Sequence, residues 1–355
     1  MEQYLSILDK VMSQGRRKSN RTGVDTISVS GVQFEHDMQD GFPLLTTKEM
    51  RTSGILSELE FFIKGKTDKG WLKERNNHIW DDWCNPEALR EYSFDDESIE
   101  SDFNNVVDRY MEFSKSHKPL KRVRRLLDKA LLQVEPTESG YILQPGSDME
   151  ILKDSARKIA QYLEDDLGPI YGWQWRHFGG NYGDHDDEIR PQDQDYSNEG
   201  IDQLEEIVEK LKSNPMDRRM ICTAWNPEEI GKMALPPCHY SFQVLSDGKT
   251  LDLIWQQRSV DTPLGLPFNI ASYGTLLHLL AKEADMEEGR LVGQLGDVHI
   301  YENQLEGAKE QLTREPYKLP KITTENFASI YDWKYTDSTI KDYEHHPKIK
   351  FPIAV

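Results

Sequence analysis

The chain contains 355 residues, with 43 Lys and Arg against 62 Asp and Glu, which gives a formal net charge of −19. This acidity disfavours nucleic acid as a partner, because proteins bind nucleic acid mainly by neutralising its phosphates with cationic side chains. No segment approaches the roughly 20 apolar residues of a membrane-spanning helix, and the amino terminus lacks the basic and apolar regions of a secretory signal. Three cysteines, Cys84, Cys222 and Cys238, are too few for a disulfide framework, so we expect a cytoplasmic protein.

Apolar residues in the first part of the chain recur at helical spacing and then alternate as in a strand. The spacing predicts a helix that ends near Gly15, a strand over 26–34 and a second helix over 51–64. Residues 84–165 have a different composition, with acidic and basic runs. We interpret 84–165 as an insertion or small subdomain within a single domain that spans 1–355.

One amphipathic helix is predicted inside this insertion. Val123, Leu126, Leu127 and Ala130 recur on one face of it. The basic run from Lys121 to Arg125 overlaps this helix and has two interpretations. It could bind an anion, or it could form a solvated helix face, which is the more common role of such runs.

The second half of the chain alternates strands with helices. An apolar stripe after residue 200 predicts a helix, and the dipeptide Asp247-Gly248 predicts a hairpin turn. Strands are predicted over 219–225, 239–245, 251–257 and 291–300, and an apolar helix over 269–284. This mixture predicts an α/β or α+β fold on a largely antiparallel or mixed sheet.

Common catalytic motifs are absent, namely those of P-loop proteins, dinucleotide-binding folds, serine hydrolases and zinc enzymes. Cys238 follows Pro236-Pro237, which fix the backbone just before the thiol. An inert buried cysteine and a nucleophile both remain open here. A dyad of Cys238 with His239 is disfavoured, because neighbours on a strand point to opposite faces.

Three other features bear on the chemistry. A guanidinium group binds phosphate and, beside a thiol, lowers the thiol pKa, although a single arginine is more often a surface ion pair. The candidates are Arg21, Arg218, Arg219 and Arg258. Glu58 lies in an apolar helical run, where a carboxyl group is either partnered or raised in pKa. Asn269 carries a donor and an acceptor, so it could read an amide-like ring edge or cap a helix.

Taken together, these residues resemble the thymidylate synthase family over about residues 1–83 and 166–355. The segments that carry the resemblance are Arg21 to Gly23, Gly41 to Lys48, His78 to Trp83, Gly168 to Gly172, Gln174 to Arg176, Asp217 to Arg219, Met233 to His239, Gln257 to Asp261, Leu264 to Tyr273, Gly296 to Tyr301 and His346 to Val355. The resemblance implies a large, mixed, twisted sheet packed by helices, and a homodimer formed sheet to sheet. It also implies reductive methylation of dUMP to dTMP without a metal, with 5,10-methylenetetrahydrofolate as donor of the carbon and the hydride.

The resemblance assigns roles to individual residues. Cys238 is implied to be the nucleophile that adds to carbon 6 of uracil, and Arg258 to lower its pKa while holding the nucleotide phosphate. Glu58 is implied to manage protons at the uracil carbonyl, and Tyr171 to assist proton removal from carbon 5. Further substrate contacts are implied for the phosphate at Arg21, Arg218, Arg219 and Ser259, for the uracil edge at Asn269, for the ribose at His299 and Tyr301, and for the nucleotide at Gln257. The pair Arg218-Arg219 is implied to cross the dimer interface.

Folate contacts are also implied by the resemblance. They involve Lys48, Ile79, Trp80, Trp83, Asp261, Leu264, Gly265, Phe268 and Val355. Asp261 would accept from the pterin, Lys48 would contact the folate side chain, and Val355 would close a lid that excludes water.

Four positions depart from the family pattern: Glu49, Glu60, Trp173 and Pro263. Glu49 stands where a second basic residue is usual. Glu60 lies two positions from Glu58 and is expected to face roughly the opposite side of the helix.

Two of these departures define the alternative function. The pairs Glu58 with Glu60 and Tyr171 with Trp173 resemble pyrimidine nucleotide hydroxymethylases, which quench the same methylene group with water. The alternative is therefore deoxyuridylate hydroxymethylase, although Trp80 and the final valine favour hydride transfer. A non-catalytic scaffold or RNA-binding relative is disfavoured, because the catalytic set is complete and the chain is acidic.

Overall fold

A six-stranded mixed sheet organises the first of two units, which comprises residues 1–65, 202–225 and 237–355. The computed structural model describes residues 1–81, 92–116, 121–182, 196 and 198–354. In spatial order the strands are β1 (Arg16–Lys18), β2 (Thr26–Asp37), β8 (Glu287–Tyr301), β7 (Thr250–Asp261), β6 (His239–Ser246) and β5 (Ile221–Thr223). Strands β7 and β8 run parallel, and the other neighbours run antiparallel. The predicted mixed sheet is confirmed.

Helices and a small hairpin complete this unit. They are α1 (Glu2–Gln14), α2 (Thr52–Ile63), α8 (Gln203–Ser213), α9 (Gly265–Glu283), α10 (Leu305–Leu312) and the pair β9 (Lys321–Thr324) and β10 (Ser338–Lys341). Helix α9 is buried over most of its length, which explains why its sequence is apolar on all sides.

The turn between β6 and β7 forms as the sequence predicts. Asp247 Oδ1 accepts from the backbone N–H groups of Lys249 (2.9 Å) and Thr250 (2.8 Å). Gly248 has a φ of 90°, a conformation that glycine adopts without strain. Along β7 the buried residues then alternate, with Leu251, Leu253 and Trp255 facing inward.

The lack of a side chain at Gly293 makes room for the Trp255 ring on the sheet. A Cβ atom at Gly293 of β8 would lie 2.4 Å from Trp255 Cζ2, so glycine is required there. The indole stacks on the Tyr273 ring with centroids 5.4 Å apart and planes 8° apart. Trp255 is thereby held flat between a strand and α9, with no exposed surface.

The second unit comprises residues 66–201 and 226–236. Its described elements are α3 (Lys69–Lys73), α4 (Ile99–Ser116), α5 (Lys121–Leu131), β3 (Val134–Thr137), β4 (Gly140–Leu143), α6 (Met149–Asp165) and α7 (Tyr171–His177). The described residues of 84–165 all fall in this unit, together with residues on either side of them. The interpretation of 84–165 as an insertion within one catalytic domain stays a prediction.

The core of the second unit is built by amphipathic helices. Phe103 of α4, Leu126 of α5 and Ile159 of α6 belong to one buried apolar cluster. Helix α5 confirms the amphipathic helix predicted from the sequence, while Arg124 and Arg125 on it are exposed, as expected for a solvated face. Throughout the described part of the chain, no helix combines the length and apolar character required to cross a membrane.

Candidate active site

Cys238 lies immediately before β6, in a loop that Arg258 of β7 clamps from the neighbouring strand. The Arg258 backbone N–H donates to the Cys238 carbonyl (2.8 Å), and Arg258 Nε donates to the Pro237 carbonyl (2.9 Å). The strand pairing shifts register between His239 and Ser241, which is where a sheet can redirect a side chain. The backbone on both sides of the thiol is therefore fixed by one arginine.

The thiol of Cys238 is subject to opposing influences. Burial raises its pKa above the ordinary value, and the negative charge of Asp261 acts in the same direction. The charges of Arg258 and Arg21 lower it. The expected influence of Arg258 on the thiol pKa is thus present, but the effect of burial is larger, so the net shift of the Cys238 pKa is upward.

His239 is not arranged as the partner of a Cys–His dyad. Its Nδ1 lies 2.9 Å from the Tyr273 hydroxyl, and the imidazole is buried. Burial lowers the pKa of His239 to about 3, so the ring is neutral at physiological pH. This arrangement agrees with the sequence argument against the dyad.

A row of amide groups sets the orientation of Asn269. Trp255 Nε1 can only donate, and it donates to Gln257 Oε1 (3.1 Å). The Gln257 amide nitrogen therefore faces the other way and donates to Asn269 Oδ1 and to the Ser259 carbonyl (both 3.0 Å). Helix α9 begins at Gly265 with Leu264 as its N-cap residue, so Asn269 does not cap the helix.

The carboxyl ends of β7 and β8 bring together Asp261, His299 and Tyr301. Asp261 is paired with His299 in the parallel register, and the His299 ring meets the Tyr301 ring edge-on at 5.2 Å. Burial raises the pKa of Asp261, whereas hydrogen bonds from Gln304 and from the Leu264 backbone N–H, and the charge of Lys48, lower it. Polar groups thus converge at one edge of the sheet, next to the half-buried start of α9 that includes Gly265 and Phe268.

Lys48 is turned into the protein interior. Its ammonium group donates to the Pro263 carbonyl and lies 4.8 Å from the centre of the Phe351 ring. The side chain is 4 % exposed, and burial lowers its pKa to about 8. Lys48 therefore contacts the chain near its carboxy terminus, a contact that sequence reasoning did not foresee.

Helix α2 buries two carboxyl groups, Glu58 and Glu60. Glu60 Oε2 accepts from the Tyr335 backbone N–H (2.9 Å). This bond gives Glu60, one of the departures from the family pattern, a structural role: it holds the segment that leads into β10.

Three of the predicted phosphate-binding arginines, Arg21, Arg218 and Arg219, are exposed. Arg21 lies in the turn between β1 and β2, and its charge acts on both Cys238 and Tyr301. Arg219 pairs with Asp217 (2.7 Å) and lowers the pKa of that carboxyl group to about 2. Arg218 is also exposed, and its backbone carbonyl accepts from Gln243 (2.9 Å).

In the second unit, Tyr171 is the first residue of α7. It is 2 % exposed, and its ring meets the Trp80 ring at 6.1 Å. The loop before it requires glycine, because Gly168 has a φ of 73° and a Cβ there would lie 2.0 Å from the Lys232 carbonyl oxygen. Ile79 is half-buried beside Trp80 in the chain, whereas Trp83 and Val355 lie outside the described residues.

Trp173 belongs to the core of the second unit. Its ring lies 4.9 Å from that of Tyr182 and 4.5 Å from that of Tyr196, and it is 1 % exposed. All three residues belong to the cluster that α4, α5 and α6 build. Trp173, which matches the sequence pattern of the hydroxymethylases, therefore packs in the core of the second unit in this chain.

One residue of the site was missed from the sequence. Gln304, which follows β8, donates from Nε2 to Asp261 Oδ2 (3.1 Å) and to the Pro352 carbonyl (2.9 Å). A single polar residue between a strand and a helix gives no periodic signal. Within the described ranges, no group of three or more His, Cys, Asp and Glu side chains could hold a metal ion.

Comparison with known proteins gives a consistent answer. The family model described as Thymidylate synthase matches residues 2–355. A thymidylate synthase of Listeria monocytogenes serotype 4b (strain F2365) is 38% identical over 357 residues, with 100% of both chains covered. A thymidylate synthase of Listeria innocua serovar 6a is 37% identical over 359 residues, again with 100% of both chains covered. The similarity therefore extends along the whole chain.

Proposed function

The chain belongs to the thymidylate synthase family, and from this premise we propose how its residues divide the work of the reaction. The activity is that of the family, the reductive methylation of dUMP to dTMP. Methylenetetrahydrofolate is the co-substrate of this family and supplies a one-carbon unit and a hydride, which leaves dihydrofolate.

Cys238 is the proposed nucleophile. Carbon 5 of uracil is unreactive until a thiolate adds to carbon 6, which turns the ring into an enolate. Only the thiolate can do this, and the charges of Arg258 and Arg21 favour the thiolate against the burial that raises the pKa of Cys238. The observation that carries the proposal is the clamp by which Arg258 fixes Pro237 and Cys238 while its charge acts on the thiol.

The base and the ribose are proposed to bind along β7 and β8. Asn269 would read the uracil edge, and its amide is already oriented by Gln257. His299 and Tyr301 would hold the ribose hydroxyl. Glu58 would move protons at the uracil carbonyl, and in the second unit Tyr171 would assist proton removal from carbon 5; both of these roles rest on the resemblance.

The folate contacts are proposed for Asp261, Leu264, Gly265 and Phe268 in the first unit, and for Ile79, Trp80 and Trp83 in the second. The half-buried Asp261 carboxylate suits the N–H donors of a pterin ring. The proposed contact of Lys48 with the folate side chain would require its ammonium group to leave the Pro263 carbonyl. Val355 keeps its proposed role in closing the site.

The phosphate site is proposed to be shared between two subunits of a homodimer. Arg21, Arg258 and Ser259 would bind phosphate from one subunit, and Arg218 and Arg219 from the other. The exposure of both Arg218 and Arg219 supports this proposal, since a residue that serves another subunit must lie at the surface. A cytoplasmic location and the absence of a nucleic-acid partner stay predictions.

Mixing two inactive variants tests the shared phosphate site. Arg218→Glu and Cys238→Ser should each be inactive, because each lacks one part of every site. Hybrid dimers of the two should regain about one working site, since one of the two sites then has both residues. Activity that stays absent in confirmed hybrids would contradict the sharing of Arg218.

Analysis of the reaction products tests the function itself. The purified protein, incubated with dUMP and methylenetetrahydrofolate, should give a nucleotide that carries one additional methyl group, with dihydrofolate formed in equal amount. Mass spectrometry and the absorbance of dihydrofolate report both products. A hydroxymethyl nucleotide with tetrahydrofolate would instead establish the alternative, which the comparisons with known proteins do not favour over the synthase.

A further inference from the structure

Gln304 links two parts of the first unit through a single amide. Its Nε2 donates to Asp261 Oδ2 (3.1 Å) and to the Pro352 carbonyl (2.9 Å), and its Oε1 accepts from the Tyr301 backbone N–H (3.3 Å). A primary amide has two N–H donors, so both are used. The side chain is 1 % exposed, which makes each of these bonds costly to lose.

The carboxy-terminal segment, defined here as residues 346–354, is held along its length by contacts of different kinds. The His346 backbone N–H donates to the Thr46 carbonyl (2.8 Å), and Phe351 is buried against Gly307, where a Cβ would lie 2.7 Å from its ring. Beyond Phe351, Pro352 and Ile353 are exposed. The bond from Gln304 to the Pro352 carbonyl therefore acts where burial no longer anchors the segment.

With its other N–H, Gln304 stabilises the half-buried carboxylate of Asp261. Burial raises the pKa of Asp261, and the hydrogen bond from Gln304 is the first of the influences that oppose this rise. An amide nitrogen that donates one N–H to a carboxylate and the other to a carbonyl fixes the position of both acceptors relative to each other. A displaced carboxy-terminal segment would leave the Gln304 amide free to rotate away from Asp261.

We propose that Gln304 is a positioning residue that couples the carboxy-terminal segment to Asp261, so that ordering of this segment and recognition of the folate occur as one event. The inference rests on the proposed role of Asp261 as the acceptor for the pterin. It adds a residue outside the motifs that carry the family resemblance.

Gln304→Met and Gln311→Met form a matched pair for the test. Gln311 is also fully buried, and it bonds to Thr47 (3.0 Å) and Tyr4 (3.3 Å). Methionine keeps the length of glutamine and removes its hydrogen bonds. Both variants should lose thermal stability, but only Gln304→Met should raise KM for methylenetetrahydrofolate, by roughly tenfold or more, with the Kd for dUMP unchanged.

A second readout does not depend on turnover. Carboxypeptidase should release the last residues of the wild-type protein more slowly once dUMP and a non-reacting folate analogue are bound. Gln304→Met should lose this protection, and Gln311→Met should keep it. Gln304→Glu keeps the shape of glutamine but places a second carboxylate beside Asp261, so it should raise the folate KM further. This variant replaces Gln304→Met in the test if the methionine variant does not fold.

A folate KM that is unchanged in Gln304→Met, or raised equally in Gln311→Met, would overturn the coupling. Protection from carboxypeptidase that persists in Gln304→Met would overturn it as well. A wild-type protein that does not convert dUMP would instead overturn the proposed function, and the two failures are therefore distinguishable.

Discussion

The regions around Cys222 and Cys238 are close to neighbouring strands of one sheet, and burial raises the pKa of both thiols, yet the charges around the two thiols differ. Cys222 lies within β5 opposite Phe242 of β6 and is fully buried. Burial and the charge of Asp202 raise its pKa far above the ordinary value. Cys238 lies just outside the strand, is partly exposed, and has two arginines whose charges favour its thiolate. The comparison teaches that the same side chain meets different charges at a strand end and inside a strand, which is why we propose Cys238 and not Cys222 as the nucleophile.

The largest difference between the two regions is expected in the effect on kcat when each cysteine is replaced by serine. Cys238→Ser should reduce kcat by at least about 10⁴-fold, because a hydroxyl group forms its anion far less readily than a thiol. Cys222→Ser serves as the matched control and should keep kcat near the wild-type value. Turnover of dUMP, measured by dihydrofolate absorbance, checks both, and a Cys238→Ser protein with normal turnover would remove the proposed nucleophile.

Removing the cation beside Cys238 should make its region resemble that of Cys222. Arg258→Gln should shift the pH profile of Cys238 alkylation to higher pH, since a positive charge that lowers the thiol pKa is lost while burial remains. At a fixed pH below that pKa the alkylation rate should fall by roughly tenfold or more. Iodoacetamide labelling followed by mass spectrometry gives the profile.

Arg258→Lys is the control for this experiment. It retains the charge and should keep the profile closer to that of the wild type. A profile for Arg258→Gln that does not move, or that moves to lower pH, would show that Arg258 does not favour the thiolate.

The smallest effect is expected at Cys222. Cys222→Ala should lower the free energy of unfolding by about 1–2 kcal/mol, because a small apolar group is removed from a packed site. Cys222→Ser should cost more, since a buried hydroxyl group must find a new hydrogen bond. Denaturant unfolding measures both values, and a serine variant as stable as the wild type would contradict the apolar character of this region.

Most elements of the sheet unit could be predicted from the sequence because their patterns are local. The hairpin at Asp247-Gly248 depends on turn chemistry and forms where it was expected. Helix α9 depends on a continuous apolar run and ends close to the predicted end, although it begins at Gly265 rather than at residue 269. Strand ends were less accurate: β7 extends to Asp261, beyond the predicted end at residue 257. The extension brings Asp261 opposite His299, a pairing that involves distant parts of the chain.

The features that sequence reasoning missed arise from tertiary packing. The contacts of the Lys48 ammonium group with Pro263 and Phe351 were not foreseen, because these residues are far away in the chain. The contact of Lys48 with the folate stays a prediction. Trp173 suggested a different chemistry, whereas its surroundings are those of a core residue. The pKa of Cys238 depends on how deeply the loop is buried, and a sequence carries no direct measure of that depth.

The absence of a side chain at Gly293 has an effect well beyond its own strand. An added methyl group there would displace the Trp255 indole, and with it the N–H that turns Gln257 toward Asn269. If Asn269 reads uracil as proposed, discrimination between pyrimidines then also depends on the space that Gly293 leaves for the Trp255 indole. A glycine that contacts no ligand can thus influence which nucleobase a protein prefers.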